Sequence, residues 1–385
     1  MKLPVYLDNA ATTPMDPKVL EEMLPYFLEN FGNAASNSHV YGWTASEAVD
    51  IAREQVAELI GAHPSEIVFT SGATESINLA IKGVFENYKE KGNHIITCVT
   101  EHRAVLDTCE WVENTGGKVT YLPVNPEGVI ELTELENAIT SQTILISIMF
   151  ANNETGTIQP VEEISKLARK HGILFFSDAT QAVGKILIDV NEDGMDMLSL
   201  SAHKLYGPKG IGALYVRRRN PKVNISSQIH GGGHEKNMRS GTLNVPGIVG
   251  LGKACEICKM ELESEPGAVA VLRNLLEREL LKMEGTKKNG SMENRLPNIT
   301  NISFEHVNGE ALLLEICSEI AVSRGSACSS VTTKPSHVLK ALGLSDTLAL
   351  SSFRMSLGRF TTLSQIEYAV QTIRTIVENH RSNMH

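Results

Sequence analysis

Met197-Leu198-Ser199-Leu200-Ser201-Ala202-His203-Lys204-Leu205-Tyr206-Gly207-Pro208-Lys209-Gly210 reads as an apolar run of strand length that breaks into Ser-x-His-Lys and then a glycine- and proline-bearing loop. Such a break places Lys204 at the carboxyl end of a strand, the edge where open α/β sheets bind ligands. Burial there lowers an amine's pKa and leaves it nucleophilic, which makes Lys204 a Schiff-base candidate. Alone, the stretch equally describes a solvated lysine in a turn, because most lysines stay exposed. Its companions decide between the two.

Gly172-Ile173-Leu174-Phe175-Phe176-Ser177-Asp178 is a second strand-like run, ending on Asp178 and followed by Ala179-Thr180-Gln181. An aspartate in that place can be an ordinary turn residue. Paired with a lysine at the same edge, it suits pyridoxal phosphate, whose ring stores carbanion electrons only while its nitrogen stays protonated beside a carboxylate. Three further runs end in the same way. Ile95-Ile96-Thr97-Cys98-Val99 leads to Glu101-His102, Ile144 to Phe150 leads to Asn152-Asn153-Glu154, and Ile67-Val68-Phe69-Thr70 leads to Ser71-Gly72-Ala73-Thr74. His102 can stack on a ring, Asn153 can bond its phenolic oxygen, and the Gly72-Ala73-Thr74 turn opening a helix offers backbone N–H groups to a phosphate. Read singly, His102 is a satisfied strand-end residue, and the turn is a plain strand-to-helix link capped by Ser71.

Together these residues resemble the cysteine desulfurases of the pyridoxal phosphate superfamily, the class V aminotransferase group that includes the NifS/IscS-type enzymes. The resemblance runs from Tyr6-Leu7-Asp8-Asn9-Ala10-Ala11-Thr12-Thr13-Pro14 through Thr70 to Ser76, Asn152 to Gly156 and Arg239-Ser240-Gly241-Thr242-Leu243-Asn244. It ends on Gly325-Ser326-Ala327-Cys328 and Arg354-Met355-Ser356-Leu357-Gly358-Arg359, so it spans nearly the whole chain.

The resemblance implies that Lys204 carries pyridoxal 5'-phosphate covalently, that Asp178 holds its pyridinium nitrogen and that His102 stacks on the ring. It further implies that Gln181 and Asn153 contact the ring's oxygen substituents, and that Ala73, Thr74, Ser201 and His203 contact the phosphate. Thr242 matches a residue that reaches the phosphate of the neighbouring subunit, so a homodimer is expected. Arg354 matches the residue that pairs with the substrate carboxylate, with Asn153 and the Asn9 to Ala11 segment nearby. Arg359 reads as structural.

Cys328 lies in Ser323-Arg324-Gly325-Ser326-Ala327-Cys328-Ser329-Ser330, too small and polar a stretch for a core element. Read without the resemblance, a cysteine there is more commonly a packing residue than a nucleophile. The implied reaction converts L-cysteine to L-alanine and needs a thiolate to attack the substrate sulfur, leaving a persulfide on Cys328. That sulfur is then carried to an acceptor, such as an iron–sulfur cluster scaffold or a thio-cofactor pathway. A guanidinium at Arg324 would lower the Cys328 pKa. A selenocysteine lyase, a cysteine or cystine lyase, and a non-catalytic sulfur-relay protein remain alternatives on the same scaffold. The chain ends soon after Asn379, where many members carry a longer tail that helps dock the scaffold, so the acceptor stays open.

With 385 residues and 42% hydrophobic content, a sizeable core in two domains is expected. A net charge of −10 disfavours nucleic acid and anionic membrane as partners. No signal-peptide-like segment or membrane span is expected, and six scattered cysteines fit a reducing, cytoplasmic setting. Cys255-Glu256-Ile257-Cys258 reads as structural and Lys287-Lys288 as a solvated loop.

The fold class expected is α/β, of the fold-type I pyridoxal phosphate transferases. A large, mostly parallel sheet domain sandwiched by helices would occupy residues 16–249. A smaller α+β domain, formed by residues 1–15 and 250–385, would carry the cysteine loop and a final helix from Gln365 to Asn379.

Overall fold

The computed structural model describes residues 2–324 and 334–382; Cys328 and the stretch around it lie outside the described residues. The strands are β1 (Val5–Tyr6), β2 (Ile67–Thr70), β3 (His94–Cys98), β4 (Lys118–Leu122), β5 (Thr143–Ser147) and β6 (Leu174–Asp178). They continue with β7 (Met197–Ser201), β8 (Gly212–Val216), β9 (Thr286–Lys288), β10 (Ile299–Phe304), β11 (Ile320–Ala321) and β12 (Ser352–Ser356).

Seven strands form the main sheet in the order β2-β8-β7-β6-β5-β3-β4. Every pairing from β7 to β4 is parallel, while β8 runs antiparallel to both β7 and β2. Because β8 alone is reversed, β2, β3, β5, β6 and β7 all deliver their carboxyl ends to one edge. The chain takes this form because these strands are continuous apolar runs, buried along their whole length, as a sheet covered on both faces requires.

Successive side chains feed opposite layers. Ile96, Ile146, Phe175 and Leu198 pack with the helices Val40–Leu59, Val161–His171 and Val245–Glu261. Ile95, Leu145, Phe176 and Met197 pack with Ala73–Asn87 and Arg103–Asn114 on the other face. Local signals set the helix ends too: Val161–His171 opens with Glu162 and Glu163, closes with Arg169, Lys170 and His171, and stops at Gly172 in the left-handed conformation. Charge at each end complements the helix dipole, and glycine takes the left-handed cap without a side-chain clash.

A separate core joins Val5 and Leu7 to residues between Val269 and Val377, including Leu276, Phe304, Leu312, Phe353 and Ile373. Its strands are the antiparallel sheet β12-β10-β9 and the parallel pair β1-β11. The expected boundary at 249/250 falls inside the helix Val245–Glu261, which packs its buried residues through Cys258 on the large sheet's core. The last helix is Leu363–Ser382, longer at both ends than expected. Lys287-Lys288 is not a loop: it lies in β9, paired with β10. There Lys288 is half-buried, bonds the Ser291 carbonyl, and is pushed down to about 8 by burial.

Candidate active site

The carboxyl edge of the main sheet opens into a cavity of about 450 Å³. Ala73, Thr74, His102, Asn153, Asp178, Gln181, Ser201, His203, Lys204 and Arg354 all line it. Thr242 does not; it is exposed on its own chain.

Asp178 ends β6 and is nearly buried. Its Oδ1 accepts from Thr180 N (3.1 Å), Thr180 Oγ1 (2.5 Å) and Ser199 Oγ (2.9 Å). All three donors hold one oxygen, which fixes the carboxylate's orientation. Lys204 follows β7 and directs Nζ to the carbonyls of Ala10 and Ala11, both at 2.6 Å. The N-terminal segment therefore folds over the cavity and meets the lysine there. Gln181 reaches the same segment, donating to the Ala10 carbonyl at 2.9 Å, while its Oε1 is buried without a partner among the described residues.

His102 caps the helix Arg103–Asn114, its Nδ1 accepting from Ala104 N at 3.1 Å. With Nδ1 an acceptor, the ring proton sits on Nε2. Burial holds the imidazole below its ordinary pKa; Asp178 works against this, and Lys204 and His337 work with it. His203 is depressed further, to about 4, by burial first and then by Lys204, Lys209 and Lys185. Its Nδ1 lies 3.2 Å from Thr12 Oγ1.

Gly72, not Ser71, is the N-cap of the helix Ala73–Asn87, and no side chain caps it. Ser71 instead donates its N–H to Glu75 Oε2 at 2.7 Å. Gly72 stands at φ 150°, a conformation that favours glycine, and the first amides of the helix open on the cavity. Opposite them, Arg354 on β12 bonds the Asn153 carbonyl (2.9 Å) and Asp8 Oδ1 (2.7 Å), while its Nε has no partner among the described residues.

The donor set fits pyridoxal phosphate. An uncapped helix N-terminus suits its phosphate, an oriented carboxylate its ring nitrogen, the unpartnered Gln181 amide oxygen its hydroxyl, and Lys204 its aldehyde. Asp8, Thr12, Lys185 and Lys209 belong to this neighbourhood and escaped the sequence reading. Asp8 had one visible signal, an acidic residue inside the Tyr6 to Pro14 motif. Arg359, by contrast, pairs with Asp16 and Glu265 and stacks on Tyr206, outside the cavity.

A lysine just past the end of one strand and a carboxylate ending the adjacent parallel strand suit a pyridoxal phosphate-dependent enzyme. The chain belongs to the class-V aminotransferase family, whose model matches residues 5–369. It is 55% identical over 376 residues to cysteine desulfurase IscS of Klebsiella pneumoniae, covering 97% of this chain and 93% of that one. The same identity and coverage hold for cysteine desulfurase IscS of Serratia proteamaculans. A solved NifS-like protein superposes with a TM-score of 0.91 at 40% identity, over 98% of this chain and all of that one. The structure of SspA in complex with cysteine gives 0.82 at 42% identity, over 93% of this chain and all of that one.

Proposed function

We propose that this chain is a pyridoxal phosphate-dependent cysteine desulfurase that converts L-cysteine to L-alanine and passes the sulfur to Cys328 as a persulfide. The observation that carries the reading is the meeting of Lys204, Asp178 and Arg354 in one cavity, in a chain 55% identical to a cysteine desulfurase.

Bound pyridoxal phosphate supplies an electron sink that makes the substrate α-proton acidic and its sulfur open to nucleophilic attack. The chain does the rest. Lys204 would hold the cofactor through its aldehyde. Asp178, fixed through Oδ1, keeps the ring nitrogen protonated. The Ala73 and Thr74 amides, with Ser201 and His203, hold the phosphate; a neutral His203 accepts or donates there without adding charge. His102 would stack on the ring as a neutral imidazole, its Nδ1 already held by Ala104 N. Arg354 and Asn153 would hold the substrate carboxylate. The Cys328 thiolate then attacks Sγ. One C–S bond breaks, its electron pair stays on carbon and takes a proton to give alanine, and one S–S bond forms.

The partners we infer are a second copy of the chain and a sulfur-acceptor protein in iron–sulfur cluster or thio-cofactor assembly. Exposed Leu24, Phe27, Leu28, Phe31, Tyr41 and Trp43 support the second copy, as does the placement of Thr242 outside its own cavity. Among the described residues no helix is long and apolar enough to cross a membrane, and we place the enzyme in a reducing, cytoplasmic setting, where its thiol survives. Residues 16–249 would supply most of the cofactor pocket, and residues 1–15 and 250–385 the substrate arginine and the thiol.

The test is release of alanine and sulfide from L-cysteine by the cofactor-loaded protein with a reducing thiol. Equal amounts of both from the wild type, and neither from Cys328→Ala, are expected. Sulfide with pyruvate, or turnover that survives the substitution, would point to a lyase.

A further inference from the structure

Lys185 plays no part in the chemistry above, yet it lies directly behind the cavity. It follows the turn after β6, and its Nζ donates to the carbonyls of Gln181 (3.1 Å) and Lys204 (3.3 Å). Both residues line the cavity. They belong to different strand ends, and their side chains converge again on the Ala10 carbonyl. A closed ring of contacts results: Lys185 grips two backbones from behind, and those two side chains grip the N-terminal segment in front.

We propose that Lys185 is a positioning residue of the cofactor pocket, tying the main chain of Gln181 to that of Lys204 so that both side chains enter at a fixed spacing. This rests on reading the cavity as the pyridoxal phosphate site.

The surroundings favour a dedicated role over simple packing. Burying an ammonium is costly, and a methionine would fill the same space without that cost. Here burial pushes Lys185 down to about 8, with Cys258 on the helix Val245–Glu261 and Glu265 on the helix Glu265–Leu280 acting to raise it. Arg359 faces the same cluster, bonding Glu265 and approaching Cys258 Sγ. An ammonium donates to two carbonyls at once, which no apolar side chain can do. Its charge is also felt inside the pocket, because Lys185 is among the groups that depress His203.

The test compares Lys185→Met and Lys185→Gln with the wild type, measuring pyridoxal phosphate dissociation from the holoenzyme and the His203 titration by NMR in the cofactor-free full chain. Lys185→Met is expected to weaken cofactor binding about tenfold, the equivalent of one hydrogen bond to a charged donor, and to move the His203 titration upward. Lys185→Gln keeps a donor without the charge, so it regains part of the affinity and none of the His203 shift. Unchanged affinity and titration, or a lower melting temperature alone, would overturn the proposal. Failure of both variants to fold would overturn it as well, by making the residue structural. Should wild-type protein not bind pyridoxal phosphate, the pocket reading falls instead, while the His203 titration still reports on Lys185.

Discussion

Arg354 and Asp8 form an ion pair of 2.7 Å in which the guanidinium side chain is 1% exposed and the carboxylate 19%. The pair joins residues 346 positions apart and ties the N-terminal segment to β12. A second guanidinium nitrogen holds the Asn153 carbonyl, so the planar fork is oriented before any substrate arrives. Lysine offers a point charge in place of the fork and cannot serve Asp8, Asn153 and a substrate carboxylate together. Arg354→Lys is therefore expected to raise KM for L-cysteine by about tenfold to a hundredfold, the range for lost charge-assisted hydrogen bonds. The bound cofactor's absorbance should stay intact. Steady-state kinetics check this, and an unchanged KM would move the substrate carboxylate elsewhere.

Asp178→Asn keeps the shape of a side chain held by Thr180 and Ser199 while removing its charge. Without a carboxylate at the ring nitrogen, kcat is expected to fall about a hundredfold or more, the usual scale for losing one preorganised electrostatic contact. A second readout is independent of turnover. Asp178 is the leading group that raises His102, so the His102 titration in the cofactor-free protein should move down. Normal turnover with an unmoved His102 would remove Asp178 from the site.

Much of this site was legible because each parallel strand announces itself twice, by an apolar run and by the polar residue that ends it. Asp178, Lys204, His102 and Asn153 were found in that way, and parallel pairing brings such ends to one edge without further information. What stayed hidden depends on partners that periodicity cannot see. Asp8 meets Arg354 only because β1 pairs with β11 and β12 lies beside the N-terminal segment. Lys185 belongs to no motif, and its bonds to the Gln181 and Lys204 carbonyls exist only once the turn after β6 meets the turn after β7. The cap at Gly72 in place of Ser71 follows from the Ser71 to Glu75 bond, a choice between two local options that the letters leave equal. Lys287-Lys288 looked solvated because charge suggests a loop, whereas edge pairing with β10 makes it a strand.

His203 also predicts a pH dependence. Its pKa in the folded chain, about 4, lies below the ordinary histidine value of 6.5. Between these values the unfolded chain binds a proton that the folded chain refuses, so stability falls as pH drops from about 6.5 toward 4. Above 6.5 both states are neutral there and the contribution vanishes. His203→Gln, which cannot titrate, should flatten this part of the profile relative to the wild type. Melting temperatures across the window check it, and parallel curves would show that His203 protonates normally in the fold.

Thr242 offers the sharpest test of the dimer. The Arg239–Glu75 ion pair, at 2.8 Å, ties the segment leading to Thr242 to the helix Ala73–Asn87, whose first residues line the cavity. Yet Thr242 itself is exposed and outside its own cavity. If it serves the partner's phosphate, Lys204→Ala and Thr242→Glu damage different sites of a hybrid dimer. Glutamate would set one negative charge against another, and the Lys204→Ala chain loses its anchor. In a hybrid, the Thr242→Glu chain supplies an intact Lys204 while its partner supplies an intact Thr242. One site is whole and the other doubly defective. Refolding the two inactive variants together at equal amounts should thus restore about a quarter of wild-type activity, since half the dimers are hybrids with one working site each. A residue acting within its own subunit would give no recovery at any mixing ratio.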